Sequence, residues 1–251
     1  MIWFRRESGA GPSLVLLHGW GMESRAFDAW MPWLDPYFHC IRPDLPGHGN
    51  TPCGSGLAGP PVREALEALA GEYGPPILVA WSMGSLFALD FALRYPDRLR
   101  GLVLLAGSPH FCQSEGWTAG IPDATLEAFA RELQEDPAGT RRRFLALQVL
   151  HDPGGRRALG DAGRWPLPEP SCLQDGLSLL RGLDLRPQLR PLSLPAILVH
   201  GRQDRIVPLA AASYLHGQLP GSRLEILDAG HAPFLTHPGT CARLLRESFL
   251  P

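Results

Sequence analysis

Ser82, within the segment 80–84 (Ala-Trp-Ser-Met-Gly), is the first candidate for a catalytic residue. The serine follows a short apolar run at 77–81 and precedes a helical pattern at 83–95. This placement fits the nucleophile elbow G-x-S-x-G, with alanine in place of the first glycine. Small flanking residues are needed because the turn is sharp and larger neighbouring side chains would collide. The segment therefore predicts a nucleophilic serine, the alternative being a serine that caps the helix.

A candidate acid and a candidate base follow two later strands, in the order that such a serine requires. Asp204 comes after the apolar run 196–200, and His231 comes after the run 224–227. The alternatives are a turn-forming or helix-capping aspartate and an ordinary loop histidine. The weaker candidates for the acid are Asp228 and Asp184.

The chemistry gives each of these three residues a role. A serine hydroxyl is a poor nucleophile at neutral pH, so His231 must remove its proton and later pass it to the leaving group. Asp204 would fix the tautomer of the imidazole and stabilise the imidazolium that forms. The sequence thus predicts the catalytic residues Ser82, Asp204 and His231.

Nucleophilic attack on a carbonyl group also requires donors for the oxyanion that develops. The backbone N–H of Met83, directly after the serine, is one candidate. The backbone N–H of Trp20, in the loop after the apolar run 14–17, is the other. His18 in the same loop is interpreted as a residue that braces the loop rather than as a second base.

The elements that must position these residues read as an α/β chain. Apolar runs without polar alternation are separated by helical segments of about 10–15 residues, which predicts a mostly parallel, doubly wound sheet covered on both faces. The predicted strands are 14–17, 39–42, 77–81, 99–106, 196–200 and 224–227. The predicted helices are 24–34, 62–72, 83–95, 209–219 and 238–249.

The middle third of the chain has no convincing strand, and prolines interrupt its helical patterns. An all-helical insertion between two strands is the simplest account. Ligands of open α/β sheets bind outside the carboxyl ends of the strands, so an insertion from that edge would act as a lid. The predicted division is a core at 1–108, a helical lid at 109–191 and the rest of the core at 192–251.

Composition narrows the function classes. The 251 residues carry a formal net charge of −2, which gives no electrostatic basis for a general nucleic-acid-binding protein. No apolar stretch approaches the roughly 20 residues of a membrane-spanning helix. The N-terminus becomes charged again at Arg5, so it does not supply the apolar segment of a secretory signal. We therefore expect a cytoplasmic protein without membrane or nucleic-acid partners, and a monomer.

Cofactors and metals are not indicated. The five cysteines are scattered without C-x-x-C spacing, so we expect free thiols rather than a zinc site or a disulfide framework. The histidines show no H-x-H or H-E-x-x-H spacing. All 23 basic residues are arginine, which excludes catalysis through a lysine amine. The glycine-rich segments contain neither a dinucleotide fingerprint nor a P-loop lysine, so no cofactor is predicted.

With these residues in place, the chain resembles the α/β-hydrolase superfamily over nearly its whole length. Within it, the resemblance narrows to the pimeloyl-[acyl-carrier-protein] methyl ester esterases of biotin synthesis. The segments that carry the resemblance are 14–21 (LVLLHGWG), 44–49 (DLPGHG), 81–84 (WSMG), 108–111 (SPHF) with Trp117, 143–148 (RFLALQ), 231–234 (HAPF) and 237–238 (HP). Two departures from the family pattern, Ala80 and Ser85 in place of glycines, remove no catalytic group.

The resemblance implies an α/β-hydrolase fold and a substrate. That substrate is the methyl ester of a pimeloyl chain carried on the phosphopantetheine of acyl-carrier protein, hydrolysed to the carboxylate and methanol. By the same resemblance, Trp20 and Met83 line the oxyanion hole and contact the substrate, and Phe144 lies along the acyl chain.

The resemblance also implies arginines in the lid that meet the acidic carrier protein. Arg143 and Arg156 match such positions, whereas Gly139 and Gly160 occupy two others. The neighbours that could substitute are Arg142 and Arg157. Five arginines and one aspartate at 139–160 give a local net charge of +4, which could speed encounter with an acidic protein. The alternative is an ordinary solvated helix face.

Three functions remain open at this level. The first is the carrier-protein methyl esterase. The second is a general carboxylesterase or thioesterase on small acyl substrates, together with a C–C bond hydrolase that uses the same three residues. The third is a non-catalytic ligand-binding protein of the same fold, which a broken triad would favour. Ser82 argues against a dehalogenase or an epoxide hydrolase, since these require aspartate at that position.

Overall fold

The computed structural model describes residues 3–54, 56–57, 60–150, 153–160, 162–189, 192 and 194–251. Within these residues the sheet has seven strands, in the order β1-β3-β2-β4-β5-β6-β7. Their bounds are Arg5–Ser8 (β1), Ser13–Leu17 (β2), His39–Pro43 (β3), Ile77–Trp81 (β4), Gly101–Leu105 (β5), Ala196–Gly201 (β6) and Arg223–Leu227 (β7). Every pairing is parallel except that of β1 with β3. The predicted mostly parallel sheet is confirmed.

Helices follow the strands and cover both faces of the sheet. Their bounds are Met31–Leu34 (α1), Pro60–Tyr73 (α2), Gly84–Arg94 (α3), Asp123–Glu135 (α4), Pro137–Gln148 (α5), Pro153–Leu159 (α6), Pro170–Gly182 (α7), Leu209–Gln218 (α8), Pro233–Thr236 (α9) and Pro238–Phe249 (α10). Shorter 3₁₀ segments lie at Ser24–Trp30, Pro96–Arg98, Ala162–Arg164 and Arg186–Gln188. The predicted helix 24–34 is thus a 3₁₀ segment followed by the single turn of α1.

The apolar runs became strands because both of their faces are buried. Along β2, Val15 and Leu17 pack into one hydrophobic cluster together with α2, α3 and α8. Leu14 and Leu16 alternate with them and pack into the cluster on the opposite face, together with α1, α9 and α10. This two-residue alternation is what a strand between two helical layers requires.

Strand β1 was not predicted. Its sequence, Arg-Arg-Glu-Ser, contains no apolar residue, and its side chains are partly or fully exposed. It lies at the edge of the sheet and pairs only with β3, which explains why it lacks a hydrophobic pattern.

The segment between β5 and β6 holds the predicted insertion. Its described residues form α4 to α7 and no strand, only isolated bridges. Proline is among the first residues of α5 and α7, where its missing N–H costs nothing. We propose that α4 to α7 form the lid. Its predicted boundary after residue 191 lies outside the described residues. Among the described helices, none is long and apolar enough to span a membrane.

The expectation that all cysteines are free is wrong. Cys53, in the loop between β3 and α2, forms a disulfide with Cys172 of α7, with the two Cα atoms 6.1 Å apart. The remaining cysteines, Cys40, Cys112 and Cys241, are free and buried. A separation of 119 residues leaves no spacing signal in the sequence. The bond ties the proposed lid to the core.

We expect loss of this bond to destabilise the protein. In the double variant Cys53→Ser/Cys172→Ser, the free energy of unfolding should fall by about 2–5 kcal/mol, because the unfolded chain is no longer cross-linked. Urea unfolding with and without a dithiol reductant measures this fall. Reductant should destabilise the parent protein and leave the double variant unchanged. Thiol titration of the denatured, unreduced protein should find three free thiols; five would show that the bond does not form in solution.

Candidate active site

Ser82 lies in a sharp turn between β4 and α3. Its φ is +55°, in the left-handed region that non-glycine residues rarely adopt, at a cost on the order of 1–3 kcal/mol. This turn can form only because Gly19 and Gly84, which lie close to it, have no side chains. A Cβ on Gly84 would lie 2.8 Å from the carbonyl oxygens of Leu17 and His18, and a Cβ on Gly19 would lie 3.1 Å from the Cβ of Ser82. The predicted elbow geometry is present.

The structure brings the three predicted residues together. The Nε2 of His231 lies 2.8 Å from the Oγ of Ser82, and its Nδ1 lies 2.8 Å from the Oδ2 of Asp204. Ser82 is 5% exposed and His231 is 1% exposed, so the hydrogen bonds are shielded from water. A hydroxyl bonded in this way can transfer its proton to the imidazole as it attacks an electrophile.

Two hydrogen bonds hold the His231 loop in place. The indole N–H of Trp81, at the end of β4, donates to the carbonyl oxygen of His231 at 2.8 Å. The N–H of His231 donates to the carbonyl oxygen of Gln148, the last residue of α5, at 3.0 Å. A Cβ on Gly230 would lie 2.8 Å from that same oxygen, so the close approach of α5 requires glycine there.

Asp204 is held as a carboxylate. Its Oδ1 accepts the N–H groups of Ile206 and Val207 at 2.8 and 2.9 Å. Burial acts to raise its pKa, but attraction to His231 and the hydrogen bonds outweigh burial, and the net effect lowers the pKa. The alternative acids lie elsewhere, since Asp228 accepts from Gln203 and Asp184 pairs with Arg186.

Sequence reasoning missed a second histidine beside the acid. The Nε2 of His200, at the end of β6, lies 3.4 Å from the Oδ2 of Asp204 and 2.9 Å from the carbonyl oxygen of Val207. The side chain is fully buried, and burial lowers its pKa, so the ring is a neutral donor. In the sequence, only the position of His200 at the end of a predicted strand, directly before the loop that carries Asp204, could have indicated this contact.

The two predicted oxyanion donors are Met83, which directly follows Ser82, and Trp20, which directly follows Gly19, a residue close to Ser82. Among the described residues, neither the N–H of Trp20 nor that of Met83 donates to a protein acceptor. Both side chains meet α7 at Gly176, where a Cβ would lie 2.6 Å from Cδ1 of Trp20 and 3.2 Å from the sulfur of Met83. The indole N–H of Trp20 donates to the carbonyl oxygen of Leu173 at 2.9 Å. The helix α7 therefore covers this part of the site.

His18 braces the loop, as predicted, and His48 does so with it. His18 donates from Nδ1 to the carbonyl oxygen of Gly19 and accepts the N–H of Leu45 at Nε2. His48 accepts the N–H of Gly21. Burial lowers the pKa of His18 to about 4 and that of His48 to about 3, so both are neutral supports and not proton carriers at neutral pH.

An aromatic wall adjoins the site. The ring of Trp20 lies edge-on to Phe129 and Phe144, at centroid distances of 5.2 and 5.3 Å. Phe129 and Phe144 are 5.6 Å apart. Phe144 was predicted to contact the substrate, whereas Phe129, on α4, was missed because an apolar residue on an amphipathic helix gives no functional signal.

The lid arginines differ in their surroundings. Arg143 pairs with Glu132 at 2.8 Å, which offsets its charge. Arg142, Arg156 and Arg157 are exposed, and Arg142 and Arg156 line one pocket of about 140 Å³. Arg141, counted in the predicted charge of +4, is buried and contributes nothing to this surface. Asp152, the acid in that count, lies outside the described residues.

One group of possible metal ligands occurs among the described residues. The ligand atoms of Cys53, Cys172 and Asp175 lie within 4.8 Å of one another. The two sulfurs are bonded to each other, and a disulfide sulfur is not the thiolate that a metal ion binds. The group is therefore a disulfide with a neighbouring carboxylate.

Residues 14–244 match the alpha/beta hydrolase family. The relatives include proteins named pimeloyl-[acyl-carrier protein] methyl ester esterase. Those of Aromatoleum aromaticum and Methylococcus capsulatus are each 40% identical, covering 94% and 97% of this chain and 97% of each relative. That of Aeromonas hydrophila is also 40% identical, over 92% of both chains.

Solved structures share the fold. An esterase from Exiguobacterium antarcticum has a TM-score of 0.84 at 21% identity, covering 97% of this chain and 94% of that chain. The enol-lactonase from Burkholderia xenovorans has a TM-score of 0.84 at 17% identity, covering 99% and 96%. These similarities support the fold alone.

The neutral histidines make stability depend on pH. The ordinary pKa of histidine is 6.5. Below that pH, His18 and His48 bind protons in the unfolded chain but stay neutral in the folded protein. Their contribution is complete above the unfolded pKa and is lost as the pH falls towards the folded pKa, by about 1.4 kcal/mol per unit for each histidine. Urea unfolding between about pH 5 and 7 should show this decline. His48→Gln should reduce the slope, because one of the two buried neutral histidines is then absent; a slope equal to that of the parent protein would contradict the assignment.

Proposed function

This chain belongs to the alpha/beta hydrolase family and, within it, to the pimeloyl-[acyl-carrier protein] methyl ester esterases, and we propose from that membership that it hydrolyses the methyl ester of a pimeloyl chain on acyl-carrier protein. The products are methanol and the carrier-bound carboxylate, which serves biotin synthesis. The hydrogen-bonded series of Ser82, His231 and Asp204 is the observation that supports ester hydrolysis, and the membership supports the choice of substrate.

Turnover proceeds in two halves. The Oγ of Ser82 attacks the ester carbonyl carbon while the Nε2 of His231 takes the hydroxyl proton. The tetrahedral intermediate collapses, the bond to the methoxyl oxygen breaks, and methanol leaves with that proton. Water then attacks the acyl-serine, its proton passes through His231 to the Oγ of Ser82, and the carboxylate is released.

Two sets of groups support these steps electrostatically. Asp204 keeps the proton of His231 on Nδ1, so that Nε2 is free to accept, and it stabilises the imidazolium. The N–H groups of Trp20 and Met83 donate hydrogen bonds to the negatively charged oxygen of the tetrahedral intermediate. Each such donor is worth about 10²–10³ in rate, because it is already oriented before the charge develops.

The acyl chain follows the aromatic wall of Trp20, Phe129 and Phe144. These rings come from the oxyanion loop and from helices α4 and α5, so they connect the reacting centre to the proposed lid. A pimeloyl chain is a run of methylene groups, and each one buried against such a wall contributes about 0.8 kcal/mol.

The carrier protein meets the exposed arginines of α5 and α6. Arg142, Arg156 and Arg157 supply the charge, with Arg143 partly offset by Glu132. This charge attracts an acidic partner and fades as salt is added.

The two glycines at family arginine positions have local causes in this chain. Asp136 caps α5 by accepting the N–H of Gly139, and a Cβ there would lie 1.8 Å from its carboxylate. Gly160 follows α6 with a φ of +47°, a conformation that favours glycine. Arg142 and Arg157 compensate for the two missing charges.

Replacing the nucleophile tests the chemistry. Ser82→Ala should lower kcat for any ester by on the order of 10⁶, because no other group can form the acyl intermediate. The thermal unfolding midpoint should not fall, since alanine keeps the turn. The matched control is Ser213→Ala, an exposed serine on α8, which should retain full activity. Ester hydrolysis that persists in a clean Ser82→Ala preparation would refute the assignment.

Charge reversal tests the carrier. In Arg142→Glu/Arg156→Glu, KM for the carrier-bound methyl ester should rise about tenfold at low salt and less at high salt, because two attractive charges become repulsive. Turnover of a small activated ester should be unaffected. Arg98→Glu/Arg243→Glu reverses two exposed arginines outside α4 to α7, makes the same change in net charge and serves as the control.

Two results would argue against this function. Equal losses on both substrates would refute the docking role of the two arginines. Equal or better kcat/KM of the parent protein for the small ester, without dependence on salt, would instead favour a general carboxylesterase that uses the same three residues.

A further inference from the structure

Arg141 of α5 is a buried charge for which the proposed mechanism has no role. It is 3% exposed, whereas the next two residues of the helix, Arg142 and Arg143, are exposed. Burial lowers its pKa, with attraction to Glu23 acting in the opposite direction. Removing a guanidinium from water is costly unless its donors are satisfied, so its partners show what the position requires.

The partners are backbone carbonyl oxygens from two other segments. The Nε donates to Gly21 at 3.1 Å, and the Nη2 donates to Ala162 at 2.9 Å. The Nη1 donates to Trp165 at 2.8 Å and to Pro166 at 3.3 Å. One planar guanidinium group on α5 therefore contacts both the segment between α6 and α7 and the loop after β2. A lysine has three donors on one atom and cannot span these positions.

Gly21 is the residue after Trp20, whose N–H is proposed to stabilise the oxyanion. It has a φ of +69°, a conformation that favours glycine, and as a glycine it has no side chain that could anchor the turn by packing. Hydrogen bonds hold it instead. His48 accepts its N–H at 3.3 Å, and Arg141 donates to its carbonyl oxygen. Hydrogen bonds to both the N–H and the carbonyl oxygen of Gly21 therefore fix the turn.

We propose that Arg141 is a positioning residue that fixes the Gly19–Trp20–Gly21 turn against the lid, so that the N–H of Trp20 points at the oxygen that becomes charged. It touches no reacting atom. The inference rests on the proposed function, because it assigns Arg141 to the oxyanion hole of that same site. An oxyanion donor acts on the transition state more than on the bound ester, so the effect belongs in kcat.

The test uses a small activated ester, which avoids any effect of carrier docking. Arg141→Met should lower kcat about 10- to 100-fold, with KM within about threefold of the parent value, since one of two donors is misaligned rather than removed. Arg141→Lys keeps the charge but not the planar fork, so it should show a similar loss. The matched control, Arg131→Met on the exposed side of α4, should retain kcat.

Two further readouts separate positioning from mere structural support. A trifluoromethyl ketone, which forms an anionic adduct with the serine, should bind more weakly to Arg141→Met in proportion to the loss of kcat/KM. Guanidinium chloride at low, non-denaturing concentration should restore part of kcat in Arg141→Ala, whereas sodium chloride at the same concentration should not. If Arg141→Met fails to fold, Arg141→Lys and this rescue carry the test.

Each possible result either supports the proposal or overturns it. A folded Arg141→Met or Arg141→Lys with kcat within twofold of the parent overturns the proposal. So does a loss confined to KM, or inhibitor affinity that is unchanged while kcat falls. Failure of the proposed function would look different, since the parent protein would then fail to hydrolyse the carrier-bound ester while the effect of Arg141 on small esters persisted.

Discussion

The left-handed turn at Ser82 determines how the surrounding strands, loops and helices must be arranged. It lifts the hydroxyl above the carboxyl edge of the sheet, where loops after β6 and β7 deliver Asp204 and His231. Such a turn is strained, and it persists only where its surroundings leave no alternative. Here Gly19 and Gly84 let the segment after β2 and the turn approach each other closely. The parallel sheet, which is buried on both faces, stabilises the strained conformation of Ser82.

The proposed lid does more than cover this edge. Its α5 accepts the N–H of His231 at Gln148, and its α7 accepts the indole N–H of Trp20 at Leu173. The disulfide at Cys172 anchors α7 one residue away from that second contact. The base and the oxyanion loop are thus oriented partly by backbone groups of the insertion. The proposed lid therefore supports both the candidate base and the loop that holds Trp20.

The sequence allowed the sheet and the position of the candidate catalytic residues to be predicted for a physical reason. The buried strands β4 and β6 appear as apolar runs, and parallel strands present their carboxyl ends at one edge, which predicted that Ser82, Asp204 and His231 lie together. The edge strand β7 is only partly buried, and its apolar residues are interrupted by Glu225. Features that depend on tertiary contacts left no such signal. The polar edge strand β1 and the bond between Cys53 and Cys172 could not be inferred, because partners distant in sequence define them.

Arg141 shows why counting charges along a segment is an incomplete guide to function. Of three consecutive arginines on α5, one turns inward to four carbonyl oxygens, one pairs with Glu132, and Arg142 remains exposed without an ion pair to a described residue. Helical geometry forces this division, because successive residues point about 100° apart and cannot face one partner together. The same short run of sequence therefore contacts the Gly19–Trp20–Gly21 turn on its inner side and presents an exposed positive charge on its outer side. If the two proposed roles hold, one helix links carrier binding to the chemistry.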